Sequence, residues 1–209
     1  MIYTFSSDLR RETQWNKGLC FARSYFIPFS GKGLCSAASP DKEISASDRV
    51  FSLSGTWDFC LDDGKASSFD STAATWTPTE VPSYWKAEDS SNGACVVGSK
   101  KAIPRGIYRT FFSVYNTNDT HFLSFTRVGG AFDAYVNGVF CGRSMTGAGE
   151  FDLSSLVKEG ENELLVVVYA FCPADVFFCG GTTYHGITGD VVLSAHPAAA
   201  SLVDYSFES

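Results

Sequence analysis

Ala131-Phe132-Asp133-Ala134-Tyr135-Val136-Asn137-Gly138-Val139-Phe140-Cys141 is the stretch on which the reading of the fold turns. Two apolar runs flank Asn137-Gly138, and both of those residues tolerate positive φ. Asn-Gly between apolar runs is the strongest short-range signal for a β-hairpin. On its C-terminal side, Glu163-Leu-Leu-Val-Val-Val-Tyr169 is almost wholly apolar and rich in β-branched residues. That pattern predicts a central strand buried on both faces. On its N-terminal side, Ile107–Val114 and His121–Val128 read as further strands, with Leu123 and Phe125 on one face. Gly55–Leu61 alternates aromatic and polar residues, as a half-buried strand does. Asp190–Ala195 reads as the last strand, and Phe151–Val157 as a strand end followed by one helical turn. Short strands separated by turn residues, with no convincing amphipathic helix, predict an all-β sandwich of the jelly-roll type.

The remainder of the chain is less regular. Residues 1–48 read as an irregular extended arm and linker, with one aromatic island at Arg23–Phe29. Residues 49–197 form the predicted sandwich domain. Residues 65–80 and 86–103 read as loops around an aromatic turn, Val81-Pro-Ser-Tyr-Trp85. Residues 198–209 are left as the start of a link.

Length and composition narrow the function classes. A chain of 209 residues holds one well-filled core and falls short of the about 250 residues of a (β/α)₈ barrel. The aromatic load of 18 Phe, 9 Tyr and 4 Trp, beside 19 Gly, suits a turn-rich β fold. A net charge of -7 argues against nucleic acid and against an anionic membrane surface as partners. No apolar stretch approaches the about 18 residues of a spanning helix. Met1–Gly18 has no apolar core of a secretory leader. The 7 Cys are odd in number and form no C-x-x-C. They are therefore expected as free thiols in a cytoplasmic setting, with Cys60 and Cys141 packed as small hydrophobes. The pair Cys172 and Cys179 is too weakly patterned to define a bridge or a metal site, and the three His form no ligand set. No metal and no cofactor is expected.

Several fragments in fixed order resemble the N-terminal sugar-binding domain of glycoside hydrolase family 2, the β-galactosidase group. Arg23–Phe29 looks like the arm before that domain, and Leu53-Ser-Gly-Thr-Trp-Asp-Phe59 resembles its opening "L-N-G-x-W-x-F" strand. Val81–Trp85 resembles "V-P-x-x-W", and Gly106-Ile-Tyr-Arg-Thr-Phe111 resembles "G-x-Y-R-x-x-F". Ala131–Gly138 resembles "A-F-x-x-x-V-N-G". Glu150–Leu153 and Gly160–Leu164 resemble "E-F-D-I" and "G-E-N-x-L". Gly186–Val191 resembles "S-G-I-x-R-D-V". The resemblance implies a galactose-binding-domain-like jelly roll and a role in carbohydrate metabolism. Most of these residues have structural work: Trp57, Phe59 and Tyr108 look like core.

Retaining glycosidases hold two carboxyl groups about 5–5.5 Å apart. In this family both are Glu residues of a (β/α)₈ barrel that follows the sugar-binding domain, so no catalytic residue is assigned here. By itself the chain is expected to be inactive and is read as a truncated or split gene product, or as a degenerate family member. Its partners would be a galactoside or related glycan and a chain carrying the barrel. The family's domain also lends polar groups to the barrel's site. Its "Y-T-N" stretch has no counterpart within residues 86–103. Its "D-Q-D-x-W-R" stretch is replaced by Val176–His185, where the expected carboxylate falls near Phe178. Asp175 is the nearest acid and is one candidate substrate-binding residue. Tyr184 could stack on a sugar face, and a neutral His185 imidazole could bond a sugar hydroxyl. A free-standing carbohydrate-binding module, or a structural interaction module, is the alternative function.

Overall fold

The computed structural model describes residues 1–5, 9, 16–22, 24, 26–37, 46–86, 102–171, 184–199, 202 and 204–206. The Asn137-Gly138 signal marks a real hairpin. Strand β10 (Phe132–Val136) pairs antiparallel with β11 (Val139–Ser144), and Asn137 sits at φ 51° with Gly138 at 83°. The Asn137 side chain secures the turn. Its amide donates to Leu156 O and Asn162 Oδ1, and its Oδ1 accepts the Glu163 N–H.

Two antiparallel sheets build the sandwich. The larger has the order β11-β10-β13-β7-β3-β5, where β13 is Gly160–Tyr169, β7 is Arg105–Val114, β3 is Gly55–Asp62 and β5 is Thr77–Val81. The smaller has the order β12-β8-β15-β2, where β12 is Gly149–Asp152, β8 is Thr120–Phe125, β15 is Val191–His196 and β2 is Val50–Ser52. Side chains alternate between the two faces of a strand, and β13 uses both faces for burial. Leu164, Val166 and Val168 enter the core between the sheets, with Phe132, Leu123 and Phe151. Leu165, Val167 and Tyr169 enter a second core on the opposite side. This double burial is the physical reason for the unbroken apolar run.

The second core corrects the expectation of an irregular arm. Ile2–Thr4 forms strand β1, paired antiparallel with β4 (Ser68–Asp70). Tyr3, Phe5 and Leu9 are buried against Tyr135, Ile107 and Phe69. The Tyr3 hydroxyl donates to Glu163 Oε1 of β13. The sequence hid this element because the strand is three residues long and its burial alternates while Ile2 and Tyr3 are both apolar. The expected loop at 65–80 likewise contains β4 and the start of β5. Pro78 in β5 argues against a central strand, and β5 is indeed the sheet's edge. The expected linker holds a short helix, α1 (Lys32–Ala37).

After the second core, the arm crosses the flank of the sandwich. Lys17 and Arg143 exchange backbone hydrogen bonds of 3.1 and 2.8 Å, and the Cys20 N–H donates to Glu150 O at 2.8 Å. These two contacts bridge β11 and β12, the edge strands of the two sheets on that side. Unpaired edge strands are sites for unwanted pairing, and the arm covers them here.

Among the described cysteines, Cys35, Cys60 and Cys141 carry free thiols. Cys60 and Cys141 are partly buried and pack against the two cores. Burial pushes the Cys141 thiol up to about 12, with the nearby Cys20 adding to the shift. No helix among the described residues is long and apolar enough to cross a membrane.

Candidate functional site

A small three-stranded sheet carries two of the three candidate residues. Strand β14 (Tyr184–Ile187) lies between β6 (Trp85–Lys86) and β9 (Val128–Gly129). Tyr184 faces Lys86 across the ladder, and His185 faces Trp85. The chain reaches β6 through a cis Val81-Pro82 bond. The Ser83 N–H then donates to Ile187 O at 2.8 Å, which holds the aromatic turn against β14.

Gly186 explains how closely these segments approach. Its φ is +138°, and an added Cβ would lie 2.7 Å from Ser83 O and 2.9 Å from the Tyr108 hydroxyl. Below it, burial drives the Tyr108 phenol well above its ordinary pKa, while the bond from the Ile187 backbone pulls the other way. Gly106 performs a similar service for Trp85. A Cβ there would stand 2.4 Å from the indole Nε1.

The alternation of β14 separates the two candidates. Tyr184 is 54% exposed, whereas His185 is fully buried. The His185 ring lies 5.1 Å from the Trp85 ring, beneath the surface. Tyr184 meets Tyr84 edge to face, with centroids 5.0 Å apart, and Tyr84 is 65% exposed. The Lys86 ammonium lies 5.8 Å from the Tyr184 ring. Asp175 lies outside the described residues. Sequence reasoning singled out Tyr184 but missed Tyr84 and Lys86. Their signal was the exposed half of the Val81–Trp85 turn, which was read only as a structural motif. The described part of the site is thus an aromatic shelf of two phenol rings with an ammonium group at its side. Such a shelf can stack on an apolar face and hydrogen-bond hydroxyl groups; it supplies binding chemistry.

The chain resembles known proteins over much of its length. It is 30% identical over 149 residues to a β-galactosidase of Alteromonas mediterranea, covering 59% of this chain and 14% of that protein. It is 29% identical over 180 residues to the β-galactosidase of Kluyveromyces lactis, covering 73% of this chain and 17% of that protein. Among solved structures, a putative β-galactosidase from Bacteroides fragilis matches with a TM-score of 0.52 and 25% identity, over 70% of this chain and 23% of that one. The chain is thus similar, in sequence and in fold, to enzymes of the glycoside hydrolase family 2 type. A β-glucuronidase from Ruminococcus gnavus shares the fold, with a TM-score of 0.55 and 20% identity over 70% of the chain. No family model matches the chain. The domain spans only about one seventh to one sixth of the length of these curated relatives.

Proposed function

We propose that this domain binds a galactoside or related glycan and contributes that binding to a β-galactosidase-type active site. The hydrolytic carboxylates of that site would come from a barrel outside these 209 residues. The observation that carries this reading is the similarity to β-galactosidases over 59–73% of the chain but only 14–17% of their length. A fold alone does not supply activity, and glycoside hydrolysis needs a positioned pair of carboxyl groups. In this reading Tyr184 and Tyr84 offer a surface for a sugar ring. His185 supports that surface from below through Trp85, and Asp175 supplies a hydroxyl acceptor. The thiols support a cytoplasmic location.

The test is complementation. Mixing the 209-residue chain with a barrel-containing fragment of a β-galactosidase should restore turnover of a chromogenic galactoside. The chain by itself should show none. Tyr184→Ala should weaken the restored activity by raising KM. The reading fails if the mixture is inactive while the two polypeptides bind each other, or if the chain alone turns over the substrate.

A second reading is a free-standing carbohydrate-binding module, favoured by the exposed Tyr84–Tyr184 pair. It predicts glycan binding by the chain alone that Tyr184→Ala abolishes, with no gain from the barrel fragment.

A further inference from the structure

A second cleft lies on the opposite sheet, away from Tyr184. It is a groove of about 470 Å³ between the outer face of β8, β12 and β15 and the arm segment that crosses it. Its volume falls in the range of small-molecule sites, about 300–1,000 Å³.

The floor is polar. Ser124, Glu150 and Ser194 project from adjacent strands at outward positions of the four-stranded sheet. The Ser124 hydroxyl donates to Glu150 Oε1 at 3.1 Å, which fixes the carboxylate over the floor. Ser194 Oγ lies 3.2 Å from His196 Nε2. The roof is apolar and comes from Phe26, Ile27 and Pro28.

Roof and floor are tied together. The Phe26 ring packs edge-on against His196 at 5.5 Å. The Cys20 N–H donates to Glu150 O. Further along, the Ser24 N–H donates to Asp204 Oδ1 at 2.8 Å and its hydroxyl to Tyr205 O at 2.7 Å. The cleft therefore exists before any ligand arrives, which spares the ordering cost of binding.

The chemistry of the lining selects the ligand. The described lining residues include two carboxylates, Glu150 and Asp190, and neither Lys nor Arg. Those two carboxylates repel an anionic ligand. A carboxylate beside hydroxyl groups accepts hydrogen bonds from neutral hydroxyl donors. The opposing apolar wall suits a ring with one face of C–H groups. We propose that the cleft between the arm and the β8–β12–β15 face is a second saccharide-binding site, taking a neutral pyranose unit with a C–H face on Phe26 and hydroxyls on Glu150, Ser124 and Ser194. It stands apart from the Tyr184 shelf and does not depend on it.

The test is an amide NMR titration of the full chain with methyl β-galactopyranoside and methyl β-glucopyranoside, with tetramethylammonium as the cationic control. The expected result is saturable shifts at β8, β12, β15 and residues 19–28, with a dissociation constant on the order of 1–10 mM for at least one of the sugars. Those shifts should survive Tyr184→Ala, which separates this site from the shelf. Glu150→Gln should weaken binding about tenfold or more, as the loss of a charged acceptor predicts. Phe26→Ala supplies an independent second variant should Glu150→Gln unfold. No shift at these residues with either sugar at roughly 100 mM would overturn the proposal. So would sugar shifts confined to β6 and β14, or tighter binding of tetramethylammonium than of both sugars.

Discussion

Arg143 offers the sharpest test of how this fold is held together. Asp133 and Arg143 face each other across the β10–β11 hairpin. The Asp133 side chain is fully buried and Arg143 is 4% exposed. The guanidinium grips the carboxylate with two hydrogen bonds of 2.6 and 2.7 Å, and the Tyr169 hydroxyl donates to the same carboxylate at 2.8 Å. Arg143→Met keeps most of the aliphatic stem and the backbone bonds to Lys17. It leaves a buried carboxylate with one neutral donor in place of a bidentate cation. Breaking a buried pair by removing one partner costs about 3–5 kcal/mol. For a domain of this size each kcal/mol moves Tm by about 2–4 °C, so the expected fall is roughly 6–20 °C. Urea unfolding followed by the fluorescence of buried Trp57, with a parallel thermal scan, measures both. The double variant Asp133→Leu with Arg143→Met removes the stranded charge and should lose less stability than Arg143→Met alone, even with the Tyr169 hydroxyl left over. An Arg143→Met cost below about 1 kcal/mol would refute this reasoning, as would a double variant equal to the sum of the two single losses.

Three other outcomes are expected. Phe5→Ala should cost about 3 kcal/mol in chemical denaturation, because Phe5 stacks on Phe69 and lies under the Arg105 guanidinium at 4.5 Å; a loosely attached arm would give almost no change. Gly106→Ala should cost about 1–3 kcal/mol by overpacking against Trp85 and Phe59, and the same denaturation curves will show it. Burial holds the His121 imidazole below its usual pKa of 6.5, against the opposing pull of Asp119 and Asp152. The unfolded chain then binds the extra proton more readily, so this contribution is intact above about pH 6.5 and is lost as pH falls below it. Unfolding free energies measured from pH 7 to 5 should fall less steeply in His121→Gln than in the wild type.

The parts of the fold legible in the sequence are those where local chemistry and global packing agree. Asn137-Gly138 accepts the positive φ of a tight hairpin turn at little cost, and the run from Glu163 to Tyr169 is apolar because β13 is covered on both faces. β7 and β15 lie within two residues of their predicted limits for the same reason. The segments that failed are fixed by partners far away in the chain. Ile2–Thr4 is a strand only because Ser68–Asp70 lies beside it, and neither stretch has a periodic signal long enough to stand alone. The candidate site divides along the same line. Tyr184 and His185 are adjacent in sequence, but strand alternation sends one to solvent and the other beneath Trp85. Tyr84 joins Tyr184 only through the pairing of β6 with β14, a register that no local pattern encodes.

The path of the arm has a consequence for synthesis. Ser24 finds its partner at Asp204, a separation of 180 residues. Tyr3 bonds to Glu163, 160 residues later. At about 5–20 residues per second, the ribosome takes roughly 10–35 s to make the stretch between Ser24 and Asp204. Tyr3, Phe5 and Phe26 thus leave the ribosome well before the strands that cover them. Newly made chains carry Phe26 without its His196 partner for most of that interval, while the hairpins downstream form. Whatever shields them then, a chaperone or a transient local collapse, acts before the domain has any site to offer.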